Sequence, residues 1–246
     1  MSGHSKWSTI KRQKEAADAK RGAIFTKLGN MITVAVREKG ADPDANFSLR
    51  MAIDKAKQAN MPKENVERAI KRGTGELAGG QIEELIYEGF GPAKSQFIVQ
   101  CLTDSRNRSA ANVRHIFAKY GGSLGSVIWN FTQKGIFRIS DFRPRPAPLT
   151  GAGFRISDLE LDLIDAGVQD IIKEEEGITL ITKTEDLQKV KKFLESKNIQ
   201  TESAGIEYIA KEDLMLSDED KEKVEKFIED LESDEDVSDY YTNVNI

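Results

Sequence analysis

Apolar residues first recur at helical spacing from Ala23, through Ile24, Leu28, Met31 or Ile32, and Ala35, until Gly40 stops the run. The turn ADPDAN follows. A second helix then carries Leu49, Ala52 or Ile53, and Ala56 on one side. Pro62 marks the start of a third helix, where its missing N–H costs nothing. Val66, Ala69 and Ile70 form that helix's apolar face, and Gly73 is read as its end. Three short amphipathic helices joined by tight turns predict a small bundle over about 23–73.

GTGELAGG is a linker by composition, and the pattern changes after it. IEELIYEGF and SQFIVQCLT read as strands with a Gly-Pro turn between them. RNRSAANVRHIFAKYGG reads as a helix with Val113, Ile116 and Phe117 inward. SVIWNF and GIFRIS read as strands, LELDLIDAG as a short helix and ITLITK as a strand. TEDLQKVKKFLESKN is an amphipathic helix with Leu187, Val190 and Leu194 on one side. IEYIA, DKEKVEKFIEDLES and DYYTNV complete the chain as strand, helix and strand. This alternation predicts an α+β protein: a helical bundle, then α/β-sandwich domains with mostly antiparallel sheets. The string FRISD occurs at 137–141 and again at 154–158, around a Pro-rich loop. It is too short to signal a repeat architecture.

Charge changes the picture more than composition does. The 246 residues carry a net charge of −5, with 39% hydrophobic and 31% charged residues, which suits a globular chain of two or three domains. Residues 1–75 nevertheless hold ten Lys and six Arg against eight acids, a balance of +8. The remainder balances at −13, and Lys211–Asp239 alone holds fourteen acids and four lysines. Such segregation gives the molecule one basic and one acidic face. No apolar run reaches the ~18 residues of a membrane span. The first 22 residues lack the apolar core of a secretory signal, and they are Lys-rich where a mitochondrial transit peptide is Arg-rich. The single cysteine, Cys101, fits a reducing compartment, and the expected location is the cytoplasm.

Enzyme chemistry finds little footing. His4 and His115 are far apart, and no His/Cys/Asp/Glu cluster has metal-ligand spacing. GTGELAGG lacks the Gly-Lys-Ser/Thr ending of a phosphate-binding loop. Cys101 reads as a small buried hydrophobe and His115 as a helix-surface residue. The expectation is a non-enzymatic protein with no metal, cofactor or small-molecule substrate, and no membrane partner.

The basic N-terminal region is the stronger signal. His4, Lys6, Trp7, Lys11, Arg12, Lys14, Lys20, Arg21 and Lys27 share a tract with only Glu15 and Asp18. Cations there neutralise phosphates, and Trp7 adds a planar group that stacks on or wedges between bases. Behind the arm, the second helix offers Arg50, Lys55 and Lys57, and the third offers Arg68, Lys71 and Arg72 with Lys63 near its start, Arg68 and Lys71 or Arg72 lying three to four residues apart on one side. The plainer alternative is a solvated tail with Trp7 docked on its own bundle. TDSRNRS, at a strand-to-helix junction, is a candidate anion site through Arg106 and Arg108. The alternative there is ordinary capping by Asp104, Ser105 or Asn107, with the arginines on the surface.

GHSKW, DAKRGAIFTKL, AIDKAKQANMPKENVERAIKRGTGE, YEGFGP and CLTDSRNRSAANVRHIF together resemble the YebC/PmpR family, most densely over residues 1–130. The resemblance implies three domains, with the third inserted in the second. On this sequence that gives an arm at 1–22, a helical domain at 23–77, a second domain at 78–131 plus 205–246, and a third at 132–204. It implies a DNA-binding transcriptional regulator, while relatives have also been assigned to translation at the ribosome, including mitochondrial activators for cytochrome oxidase. The expected partner is therefore nucleic acid, DNA or ribosomal RNA. A protein-interaction module using the acidic half is the remaining alternative. Two departures stand out: GGSLG runs straight into SVIWNF, a shortened loop, and RPRPAPLTGAG is an atypical insert.

Overall fold

A computed structural model describes residues 21–77, 80–140, 156–174 and 177–245. Three helices come first: α1 (Arg21–Lys39), α2 (Phe47–Gln58) and α3 (Lys63–Thr74). Their shared core is lean: Leu28, Ile32, Ala35, Val36, Leu49, Ala52, Ala56 and Ala69. Small residues let the helices approach closely. The buried Asn46 fixes the corner between α1 and α2. Its carboxamide oxygen accepts from the Leu49 N–H and so caps α2, while its NH2 donates to the carbonyls of Ala35 and Gly40.

Gly73 does not end α3. It lies inside the helix, facing α1, where a Cβ would come within 2.6 Å of Val36 Cβ and 2.8 Å of the Thr33 carbonyl. The helix stops two residues later at Gly75, which takes the left-handed conformation (φ 84°) that glycine tolerates best. Pro62 sits one position earlier than expected, at the N-cap.

The chain divides into two compact units, Met1–Thr132 with Ile209–Ile246, and Gln133–Tyr208. In the first unit, β1 (Glu83–Phe90), β2 (Gln96–Thr103), β3 (Ser123–Leu124) and β8 (Val237–Thr242) form a sheet in the order β3-β1-β2-β8. Its pairings are antiparallel, with Leu85 opposite Cys101 and Val99 opposite Tyr240. Helices α4 (Arg106–Lys119) and α7 (Asp218–Ser233) close one face. The core there is aromatic. Phe227 makes edge-on contacts with Phe97, Phe117 and Tyr120, with ring centroids 4.8, 4.9 and 5.7 Å away.

Ile98 is buried on the opposite face of β2, and α1 packs against β2 and β8. Two cations in α1 fasten the bundle to the sheet domain. Lys27 Nζ donates to the Glu232 carbonyl at the end of α7 (2.6 Å), and Arg37 donates to the Ile82 carbonyl (2.7 Å).

SVIWNF is not a strand throughout. Ile128–Asn130 form a turn of 3-10 helix, and β4 begins at Phe131. The cause is Glu88 on β1, whose carboxylate accepts from the Val127 and Ile128 N–H groups and from Ser126 Oγ. The short loop after Gly125 is thus clamped from across the sheet, and it leaves Trp129 59% exposed.

The second unit contains a sheet in the order β5-β6-β4-β7, from β5 (Val168–Glu174), β6 (Gly177–Thr182), β4 (Phe131–Ser140) and β7 (Ser203–Ala210). Its helices are α5 (Ile156–Ala166) and α6 (Leu187–Ser196), with Leu163, Leu180, Val190 and Leu194 buried. β5 escaped the sequence pattern, because a bulge between Val168 and Asp170 breaks its alternation. β4 and β7, which carry the chain in and out, are neighbours, and Arg138 on β4 forks onto both carboxylate oxygens of Glu207 on β7. The architecture is α+β: a helical bundle and two α/β sandwiches, one inserted in the other. The two FRISD copies part company here. Residues 137–140 are strand, whereas 156–158 open α5. The Pro-rich insert near 143–153 lies outside the described residues.

Candidate nucleic-acid interface

His4, Lys6, Trp7, Lys11, Arg12, Lys14 and Lys20 lie outside the described residues, and Arg21 opens α1. The remaining basic candidates separate by what they touch. Arg68 and Lys71 are exposed and Arg72 is half-buried on α3, and none forms an ion pair with a described residue. Lys55 on α2 is likewise unpaired among the described residues, and Lys57 lies 3.6 Å from Asp54 as a loose surface pair.

Two candidates are structural instead. Lys27 points inward to the Glu232 carbonyl. Burial pushes its pKa below the ordinary 10.5, while Asp234 and Glu232 act against that shift. Arg50 donates to the carbonyls of Pro43 and Asp44 and so holds the turn before its own helix. Both positions looked free in the sequence because their partners are backbone oxygens.

Arg106 and Arg108 are tied as well. Ser105 caps α4 through the Arg108 N–H. The Arg106 side chain pairs with Glu83, and Arg108 reaches Asp236 at 2.8 Å and Asp104 at 2.9 Å. Those carboxylates hold the Arg108 guanidinium above its ordinary pKa, through hydrogen bonds to Asp236 and then Asp104. The helix start meets internal anions rather than an open site. His115 is exposed on α4. Cys101 is buried in β2, and burial pushes its thiol to about 12.

A feature without a clear sequence signal lies between α1 and α3. The helices touch at Gly73 and part toward the N-terminal half of α1. They leave a groove of about 350 Å³ lined by Phe25, Asn30, Met61, Asn65, Arg68 and Arg72. Gly29 forms part of its wall. A glycine inside a helical pattern is the one hint the sequence held, since it weakens the helix and often marks a packing reason. No group of three or more His, Cys, Asp or Glu among the described residues could hold a metal ion. No described helix is long and apolar enough to cross a membrane.

The fold defines a class: three-domain α+β proteins with an N-terminal helical bundle, which here carries Arg68, Lys71 and Arg72 without an ion pair to a described residue. Residues 5–76 match the family model for the TACO1/YebC protein N-terminal domain, and residues 82–244 match that for the TACO1/YebC second and third domain. The chain belongs to the TACO1/YebC family. It is 45% identical over 249 residues to a probable transcriptional regulatory protein of Thermoanaerobacter pseudethanolicus, covering 100% of this chain and 98% of that one. A probable transcriptional regulatory protein of Thermotoga petrophila is also 45% identical over 249 residues, covering 99% and 93%. The crystal structure of a conserved hypothetical protein from Aquifex aeolicus superposes with a TM-score of 0.79 at 38% identity, covering 92% of this chain and 91% of that one.

Proposed function

We propose that this protein is a non-enzymatic, cytoplasmic, nucleic-acid-binding regulator of gene expression that acts on DNA as a transcriptional regulator. The observation that carries the reading is the row Arg68, Lys71 and Arg72, free of carboxylates among the described residues and set within a region of balance +8. Cations left unpaired on a folded surface attract a polyanion and release its counterions on binding. In this reading the arm (1–22) and the helical domain (23–77) grip the phosphate backbone. The second domain (78–131 plus 205–246) and the third (132–204) position the molecule. The names of the curated relatives support the regulatory role.

Crosslinking in cells, followed by sequencing of the bound nucleic acid, tests the target. Promoter DNA is the expected result. Recovery of ribosomal RNA would move the role to translation, and recovery of neither would refute it. In vitro, replacing Lys6, Lys11, Arg12, Lys14, Lys20 and Arg21 by neutral residues should weaken binding. It should also flatten the salt dependence, by about 0.9 in slope for each duplex phosphate no longer neutralised. Unchanged binding would remove the arm from the interface.

A second reading, a protein-interaction module, is favoured by α5. Leu161 is 78% exposed and Ile164 57% exposed, with Asp162 and Asp165 beside them on a helix that ends without a basic residue in its last turn. A basic, apolar segment of a partner protein would suit that face.

A further inference from the structure

The cationic face of α3 would bind phosphates of any geometry, but the groove beside it is more selective. Its wall offers a half-buried ring, Phe25, and the flexible thioether of Met61. Two carboxamides, Asn30 and Asn65, line it, and neither makes a side-chain hydrogen bond or ion pair with a described residue. The same holds for Arg68 and Arg72, one turn apart on the same side of α3. Half-buried polar groups in a folded protein are normally paired, so Asn30, Asn65 and Arg72, unpaired among the described residues around one concavity with the exposed Arg68 beside them, have the character of a ligand's counterparts.

The chemistry of the set is specific. Carboxamides carry both donors and acceptors and suit the edge of a nucleobase. An aromatic ring suits its face. Two guanidiniums at the rim suit the phosphate attached to it. A volume of about 350 Å³ is at the low end of small-ligand sites, enough for one base but not for a duplex. Duplex DNA hides its base faces in the stack, so the fitting nucleotide is unpaired or extruded.

We propose that the α1–α3 groove takes one unpaired nucleotide of a single-stranded or locally opened nucleic acid. The base lies against Phe25 and Met61, its edge meets Asn30 and Asn65, and its phosphate lies on Arg68 and Arg72. This rests on the proposed nucleic-acid role and adds recognition of an unpaired base to backbone attraction. Gly29 keeps the space open. A Cβ there would meet only Met61 Cε at 3.8 Å and Ala69 Cβ at 4.0 Å, both ordinary contacts, so the position tolerates a Cβ, and a longer side chain would extend into the groove.

The test uses the full chain with a short fluorescent oligonucleotide in four forms: single-stranded RNA, single-stranded DNA, duplex DNA, and a single strand with abasic sites. The natural single strands should bind about tenfold more tightly than the abasic strand, the scale of one base–aromatic stack. Comparison of the RNA and DNA strands shows which polymer the site prefers. Gly29→Leu and the double change Asn30→Ala with Asn65→Ala should each erase the abasic difference while duplex binding persists. Thermal unfolding of each variant confirms the fold, and the double change covers the case in which Gly29→Leu fails to fold. Equal binding of natural and abasic strands, or variants that keep the difference, would overturn the groove and leave backbone binding standing. Absence of binding to all four forms would overturn the proposed nucleic-acid role with it.

Discussion

On α3, Arg68, Lys71 and Arg72 stand without a carboxylate among the described residues, whereas in the adjoining α/β domain Arg106, Arg108 and Lys119 each meet one. The two regions also differ inside. The bundle's core is built largely from alanine and aliphatic residues, while the α/β core is an aromatic cluster around Phe227. On α3 these three cations stay available, over a lean interior. In the α/β domain Arg106, Arg108 and Lys119 are spent on internal pairs, around an interior filled with rings. The two regions are nonetheless fastened together, because Lys27 and Arg37 tie both halves of α1 to the α/β domain. A surface cation therefore means different things in the two places: on the open face of α3 it contributes little to stability, and at Arg106, Arg108 or Lys119 its loss breaks a pair.

That contrast can be broken from either side. The largest effect belongs to Phe227→Ala, which should cost about 3–5 kcal/mol in chemical denaturation, because it leaves a cavity among the rings of Phe97, Phe117 and Tyr120. A loss under about 1 kcal/mol would mean that the ring cluster is loosely packed. Arg108→Ala should come next, at about 1–2 kcal/mol after allowance for the half-exposed guanidinium, since it leaves the buried Asp236 carboxylate without its main partner. Replacing Arg68, Lys71 and Arg72 together by Gln should change stability by no more than about 0.5 kcal/mol per site, the ordinary range for surface substitutions. A large destabilisation there would show that these cations have internal work and would sink the comparison.

The smallest effect is a pH dependence at Asp230. The Lys119 ammonium, and then Tyr120, hold its carboxyl below the ordinary range by hydrogen bonding, against the opposing effect of burial. A lowered folded-state pKa gives stability that is present above the unfolded value, near 3.9, and is lost as pH falls through the lowered one. The difference in unfolding free energy between the native chain and Asp230→Asn should therefore shrink below about pH 4 and disappear in stronger acid. A difference independent of pH would assign it to packing.

Much of the architecture was legible because amphipathic stripes are local. The bundle's inward residues and those of α4 and α6 follow from spacing alone, and α7 is legible as a helix. What escaped depended on partners distant in sequence. Glu88 captures the N–H groups of Val127 and Ile128 from thirty-nine and forty residues away, turning an apolar run from strand into 3-10 helix. Lys27 finds its carbonyl 205 residues away, so the charge pattern of the N-terminal tract cannot distinguish it from a free lysine. Gly73 and Gly75 differ by two positions and by everything else: one is pressed against α1, the other only turns the chain. For the candidate interface, the sequence located the basic helix α3 but not the groove, since a concavity between two helices depends on how they diverge.

Cys101 gives this contrast a clock. It is the chain's single thiol, it belongs to the Phe97–Phe227 cluster, and burial raises it to about 12. Because the thiol is buried, a reagent reaches it when the aromatic domain opens, so the rate of alkylation reports that opening. A ligand that binds the bundle and is felt through α1 would lower that rate without touching the cysteine. A cysteine placed instead on the exposed face of α3 would be modified at once, leaving the native thiol as a silent internal reference.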